Sequence, residues 1–208
     1  LKQAQADIQY TEAIKCFDNG DFEGCLEQFF LAIHSRYDIE KPIARRFIRK
    51  KLGIINKLKE ENRKLKDQIR IQQKNLEKYA HEYYQMGNDC ITQAHDTKAA
   101  LANYDKAIEL YPQFTDAWVR KGVTLYNNKE HYEAEMCLSE AVRLSPLLFK
   151  AVYNRGKNRL ALNNLDGAVA DFDKATTLKP EHPKAHEFFG DALMRIGKET
   201  EAALHWAI

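Results

Sequence analysis

The side chains able to do chemistry are few and do not assemble. His81-Glu82-Tyr83-Tyr84-Gln85 opens like a helix that holds zinc between two histidines one turn apart, but Gln85 stands where the second histidine is needed. His182 and His186 are four apart, yet Pro183 starts a helix between them and no cysteine or carboxylate cluster completes a ligand set. Cys16, Cys25, Cys90 and Cys137 are widely separated with no C-x-x-C pair, which suggests neither a disulfide framework nor a zinc site. A reducing, cytoplasmic setting is the simpler expectation. There is no Ser-His-Asp or Cys-His arrangement and no glycine loop for phosphates, so catalysis, a metal and a cofactor are not expected. RRFIRKK, residues 45–51, places five cations in seven and favours phosphate contacts, as in a localisation signal or a nucleic-acid patch. Without interleaved aromatic platforms, specific nucleic-acid binding is not expected.

These residues sit in a chain of ordinary composition: 208 residues, 44% hydrophobic and 30% charged, long enough for one or two small cored domains and too apolar to be disordered. No run of about 18 apolar residues offers a membrane span, and LKQAQADIQY lacks the apolar centre of a signal peptide. The absence of an initiator Met and an ending at Trp206-Ala207-Ile208 within a helical pattern read as a piece of a longer protein. The net charge of +2 hides a split. Residues 41–78 hold 14 Lys and Arg against Glu60, Glu61, Asp67 and Glu77, a charge of +10, which leaves −8 elsewhere. That split either marks a contact with nucleic acid or an acidic membrane, or keeps an exposed helix in solution.

A 34-residue period organises the second half. Ala100, Ala134, Ala168 and Ala202 obey it, as do Ala107, Ala141 and Ala175; Pro112, Pro146 and Pro180; and Gly122, Gly156 and Gly190. Tyr104, Leu138, Phe172 and Trp206 fill one recurrent slot with bulk. Glycine in a helix interior costs about 0.5–1 kcal/mol relative to Ala, so these glycines predict close helix approach, with the bulky residues filling the gap. Each Pro ends a helical ladder. This pattern resembles the tetratricopeptide repeat and covers residues 4–37 and 79–208. The resemblance implies an all-α fold, a short α-solenoid of helix-turn-helix units interrupted by a long coiled-coil-like helix. In the first unit Gly87 lies 13 residues before Ala100 where Gly122 lies 12 before Ala134, so its loop QAHDTKA is expected to be longer. Upstream, DNGDFEGCLEQFFLAI matches another second helix, with Cys25, Phe29 and Ala32 in its Ala, aromatic and Ala slots. The expected organisation is a helical hairpin over 1–40, a long basic helix over 41–80, and an array of about 3.5 repeats over 79–208.

Between the repeats, residues 54–79 carry no Pro and no Gly. Counting Ile55 as heptad position a places Ile55, Asn62, Ile69 and Leu76 at a and Leu58, Leu65, Gln72 and Tyr79 at d. A seam this narrow at period 3.5 argues for a coiled coil rather than a core-facing helix. Asn62 would set register and strand number, and Glu61 at g would face Lys66 at e of a parallel partner. A homodimer through Ile55, Leu58, Asn62, Leu65, Ile69, Gln72 and Leu76 is the expectation; a solvated connecting helix is its alternative. With Pro42 in its first turn the helix spans about 50 residues, roughly 75 Å.

The resemblance further implies that the first helices line a groove for a partner's peptide. Carried over by position, that face holds Tyr84, Gln85, Asn88, Asp116, Arg120, Val123, Asn127, Lys150, Tyr153, Asn154, Lys157, Lys184, Glu187, Phe188 and Asp191. Arg120, Lys150, Asn154 and Lys157 would converge on a carboxylate, with Tyr84 and Tyr153 giving flat apolar contact. The set is similar to the carboxylate clamp of co-chaperones at Asn88 and Lys150, and departs from it at Tyr84, Arg120 and Asn154. A generic peptide groove and a merely solvated face stay open beside it. The expected function is a non-enzymatic, dimeric scaffold that binds a protein or peptide, acidic or C-terminal. The alternatives are a basic-helix binder of nucleic acid or acidic membrane, and the substrate-recruiting part of a larger enzyme.

Overall fold

A computed structural model describes residues 8–9, 11–13, 15–16, 21–37 and 41–206. Among these the chain is helical without strands. The helices are α1 (Phe22–Tyr37), α2 (Lys41–Asp89) with a π-turn at Cys90–Ala94, α3 (Thr97–Leu110), α4 (Thr115–Asn127), α5 (His131–Leu144), α6 (Phe149–Ala161), α7 (Leu165–Leu178), α8 (Pro183–Arg195) and α9 (Glu199–Trp206). The chain divides into two compact units, Leu1–Ile71 and Gln72–Ile208, and the division falls within α2.

In the first unit Asp21 starts α1: its Oδ1 accepts the backbone N–H of Gly24 at 2.9 Å, satisfying a donor that the first helical turn leaves open. Ala13 and Ala32 are buried, Cys25 is half-buried and Phe29 is exposed. Much of the hairpin expected over 1–40, and the side chains of 45–49 and Lys51 in the basic patch, lie outside the described residues. Pro42 falls in the first turn of α2, where a missing N–H costs nothing. From Ile54 the apolar side chains alternate with long charged ones. Leu58, Leu65 and Ile69 remain about half exposed.

In the second unit consecutive helices pair: the end of α2 with α3, α4 with α5, α6 with α7, α8 with α9. The periodic glycines explain how. A Cβ on Gly122 would lie 2.6 Å from Leu138 Cγ, one on Gly156 2.9 Å from Phe172 Cε1, and one on Gly87 2.5 Å from Tyr104 Cε1, while Gly190 meets the Trp206 ring. Each glycine therefore receives the bulky residue of its partner helix, and Tyr104, Leu138 and Phe172 are buried to within 1% exposure. The alanines at 100, 107, 134, 141, 168, 175 and 202 are wholly buried and let the helices close. Removing such apolar surface from water is the main stabilising term.

The expected longer loop is not what the extra residue produces. His95, Lys129, Asn163 and Gly197 all adopt positive φ (52°, 67°, 61° and 84°), one at each turn between paired helices. They are 34 residues apart throughout, so the repeat register is already restored at His95. The additional residue is absorbed before that point, as the wider π-turn in which the His95 N–H reaches the Cys90 carbonyl. Only His95 and Asp96 then separate it from α3, whose N-cap is Asp96, accepting from Ala99 N at 2.9 Å.

A polar network ties α6 to the second helices on either side of it, α5 and α7. Arg155 makes a bidentate pair with the buried Asp171 carboxylate at 2.9 and 2.6 Å, and Arg159 bridges Asp171 at 3.0 Å and Glu135 at 2.8 Å. The wholly buried Asn158 donates to the His131 carbonyl at 2.9 Å and to Glu135 at 3.1 Å. No buried side-chain polar atom lacks a partner among the described residues.

Candidate peptide-binding face

The first helices α4, α6 and α8 neighbour one another, so residues spaced by three and four on them share a face. On α6, Tyr153 lies among rings: Phe149 is stacked at 5.4 Å, His182 is 5.3 Å away and Phe188 of α8 6.0 Å away. One turn on, the Lys157 ammonium lies 4.9 Å from the Tyr126 ring, 5.6 Å from Phe188 and 5.8 Å from Tyr153. The negative faces of the rings attract the cation. Burial, and then the Lys184 ammonium, hold the Lys157 pKa below the ordinary lysine range. Burial also raises the Tyr153 pKa, with Glu187 adding to it.

Lys150, Arg120 and Lys184 are exposed, and Asn154 spends one amide hydrogen on the Lys150 carbonyl at 2.7 Å. Among the described residues none of Arg120, Lys150, Lys157 and Lys184 has a carboxylate within 4.0 Å, whereas Arg155, Arg159, Lys121 and Arg143 are all paired. An unmatched, partly desolvated cation is the costlier state, and an anion brought to it removes that cost.

Nearer the start of the array, Asn88 accepts the Tyr104 hydroxyl hydrogen at 3.0 Å. Tyr84 is half-buried against Phe114 at 5.0 Å and Tyr104 at 6.1 Å. Asn88, Arg120, Val123 and Asn127 border a cavity of about 450 Å³. Desolvation raises the Tyr104 pKa and the Arg120 charge opposes that rise. His81 is occupied structurally: its Nδ1–H donates to the Glu77 carbonyl at 2.8 Å and its ring stacks on Phe114 at 4.3 Å.

The structure thus groups Asn88 and Arg120 in one place, and Tyr153, Lys157 and Lys184 in another. Residues not singled out in the sequence complete both groups. Tyr126 covers Lys157 although it sits one position off the row through Val123 and Asn127. Thr97 and Thr124 reach the cavity from α3 and α4. No sequence signal marked them, because which side chains border a cavity or cover an ammonium is set across two helices.

Pairs of helices joined through small residues, each pair packed on the next, define an α-solenoid. A family model for the tetratricopeptide repeat matches residues 93–147 and 153–207, and the chain belongs to that family. It is similar to "Protein STIP1 homolog" of Dictyostelium discoideum, 30% identical over 82 residues, 39% of this chain but 14% of that protein's length. Among solved structures, MamA residues 41-end from Desulfovibrio magneticus RS-1 superposes with a TM-score of 0.57 at 20% identity, covering 98% of this chain and 92% of the other. The first TPR of Spaghetti (RPAP3), bound to the HSP90 peptide SRMEEVD, gives a TM-score of 0.56 at 22% identity over 58% and 95%. Tetratricopeptide repeat proteins mediate protein–protein interaction. No described helix is long and apolar enough to cross a membrane.

Proposed function

We propose that this protein is a binding scaffold whose repeats hold an acidic peptide segment of a partner along α4, α6 and α8. The observation that carries this reading is a contrast within the first helices: Lys121, Arg155 and Arg159 are each matched by a carboxylate of a second helix, and Arg120, Lys150, Lys157 and Lys184 are not. A segment with carboxylates would supply the missing partners, while Tyr153 and Phe188 offer rings for an apolar side chain beside them. The acidic peptide held by the RPAP3 repeat supports the same ligand chemistry.

We also infer that α2 pairs two copies of the chain in parallel. Leu58, Leu65, Ile69 and Leu76 stand exposed in one row. Within the helix Glu60 pairs with Arg63 at 2.8 Å, and Glu61 at g and Lys66 at e would face each other across a parallel seam. Two arrays on one dimer would engage a bivalent partner with raised effective concentration.

Calorimetric titration with SRMEEVD tests the face. Lys150→Glu with Lys184→Glu, both at exposed positions, is expected to abolish binding with an unchanged melting temperature, and Arg45, Arg46 and Arg49→Glu to leave it intact. Binding that survives the reversal, or no binding to the native chain, overturns the acidic-segment reading.

A further inference from the structure

The cavity beside the π-turn has a lining of its own chemistry. No carboxylate contributes to it, and Arg120 is its single permanent charge. Asn88 Oδ1 takes the Tyr104 hydroxyl hydrogen at 3.0 Å, which leaves the Asn88 NH2 uncommitted. Thr92 donates its hydroxyl to the Asn88 carbonyl at 3.1 Å. His95 Nδ1–H donates to the Ile91 carbonyl at 3.0 Å, which leaves Nε2 as an acceptor only. What the lining offers is a guanidinium fork, the amides of Asn88 and Asn127, and the hydroxyl of Thr97. The volume, about 450 Å³, lies within the range of small-ligand pockets.

We propose that this cavity is a phosphate site, filled by a phosphate monoester on a serine or threonine of a bound segment or by free phosphate. A guanidinium grips two phosphate oxygens at once, and the amides and hydroxyl serve the third. A carboxylate, with two oxygens, leaves part of this donor set idle. The insertion in the first repeat belongs to the site on this reading: the π-turn shapes the rim through Ile91, Thr92 and His95, in a repeat that otherwise keeps the common register, and the donors come from Asn88, Thr97, Arg120 and Asn127. The proposal rests on the cavity lining and not on the acidic-segment reading, although Asn88 and Arg120 border both.

The test uses the full chain, labelled with 15N, titrated with inorganic phosphate, O-phosphoserine and, as control, acetate at matched pH and ionic strength. The Arg120 Nε–Hε resonance and the Thr97 and Asn127 amides should shift saturably with phosphate and not with acetate. Arg120→Gln should weaken the response at least about tenfold. Deletion of Gln93, which returns the Gly87–Ala100 spacing from 13 to 12, should do the same while the helices still melt cooperatively. Tighter binding of O-phosphoserine assigns the site to a phosphorylated side chain, and equal binding assigns it to free phosphate. Absence of a saturable response, an equal response to acetate, or an unchanged response in Arg120→Gln overturns the proposal. Lys150→Glu with Lys184→Glu should retain the phosphate response, so a failure of the peptide face and a failure of the phosphate site read differently.

Discussion

Gly156 shows how tightly single residues are fitted. The Phe172 ring that a Cβ there would meet at 2.9 Å is wholly buried and backed by Phe188 at 5.9 Å and Tyr153 at 6.2 Å, so it has nowhere to go. Gly156→Ala is expected to lose about 1–3 kcal/mol in chemical denaturation, overpacking outweighing the helix preference of alanine. Gly53, in the exposed interior of α2 with nothing within 4 Å of a Cβ, should respond oppositely and gain about 0.5–1 kcal/mol as Gly53→Ala. A raised melting temperature in Gly156→Ala would refute the contact. His205 gives a second expectation. His186 Nε2–H donates to the Pro180 carbonyl at 2.9 Å, so its Nδ1 accepts the Nδ1–H of His205 at 3.0 Å. Burial first, then His186, lower the His205 pKa below its ordinary 6.5. The folded state then holds fewer protons than the unfolded one, so this contribution is complete above about pH 6.5 and is lost as pH falls through the folded value. Melting temperature should drop from pH 7.5 to 5.5, and His205→Gln should flatten the drop. The glycine and bulky slots were legible because their period is covalent. The Lys157 cage was not, because which ring covers an ammonium depends on side-chain direction across two helices, and Tyr126 lies off the groove row.

Among the elements, α2 was legible as one helix: from Ile54 to Met86 it offers no Pro, no Gly and no turn signal, and charged residues fill its solvent faces. The turn after it was misjudged in kind. Counting residues shows that one is added, but only backbone geometry decides whether a loop lengthens or a helix widens. The positive-φ residue held in register at His95 decided for the helix. The row from Ile55 to Leu76 carries its own prediction. Leu65→Glu with Ile69→Glu, at half-exposed positions, should reduce the scattering mass from two chains to one at micromolar concentration without loss of helix signal. Asn62→Ile should raise thermal stability and blur the strand number, because a buried Asn trades stability for register. A native chain that scatters as a monomer and stays so on concentration would refute the pairing.

At the scale of the molecule, residues 72–208 pack as a row of helix pairs in which each helix touches the next one and the first helix of the adjoining repeat. This was legible because a sequence period of 34 leaves little other way to bury the small and bulky slots together. The Arg155–Asp171–Arg159–Glu135 network was not legible, since it joins three helices and its members fall outside the repeated slots. Stability in such a row is close to a sum of repeat and neighbour terms.

That neighbour-only packing has a mechanical consequence. Tension applied along residues 72–208 is carried in series, so the weakest interface yields while the others hold. Each hairpin that gives way frees 34 residues, roughly 115 Å of contour at about 3.4 Å per residue. A scaffold built this way behaves as a chain of small extensible springs, able to lengthen stepwise under load and to re-form from whichever pair remains closed.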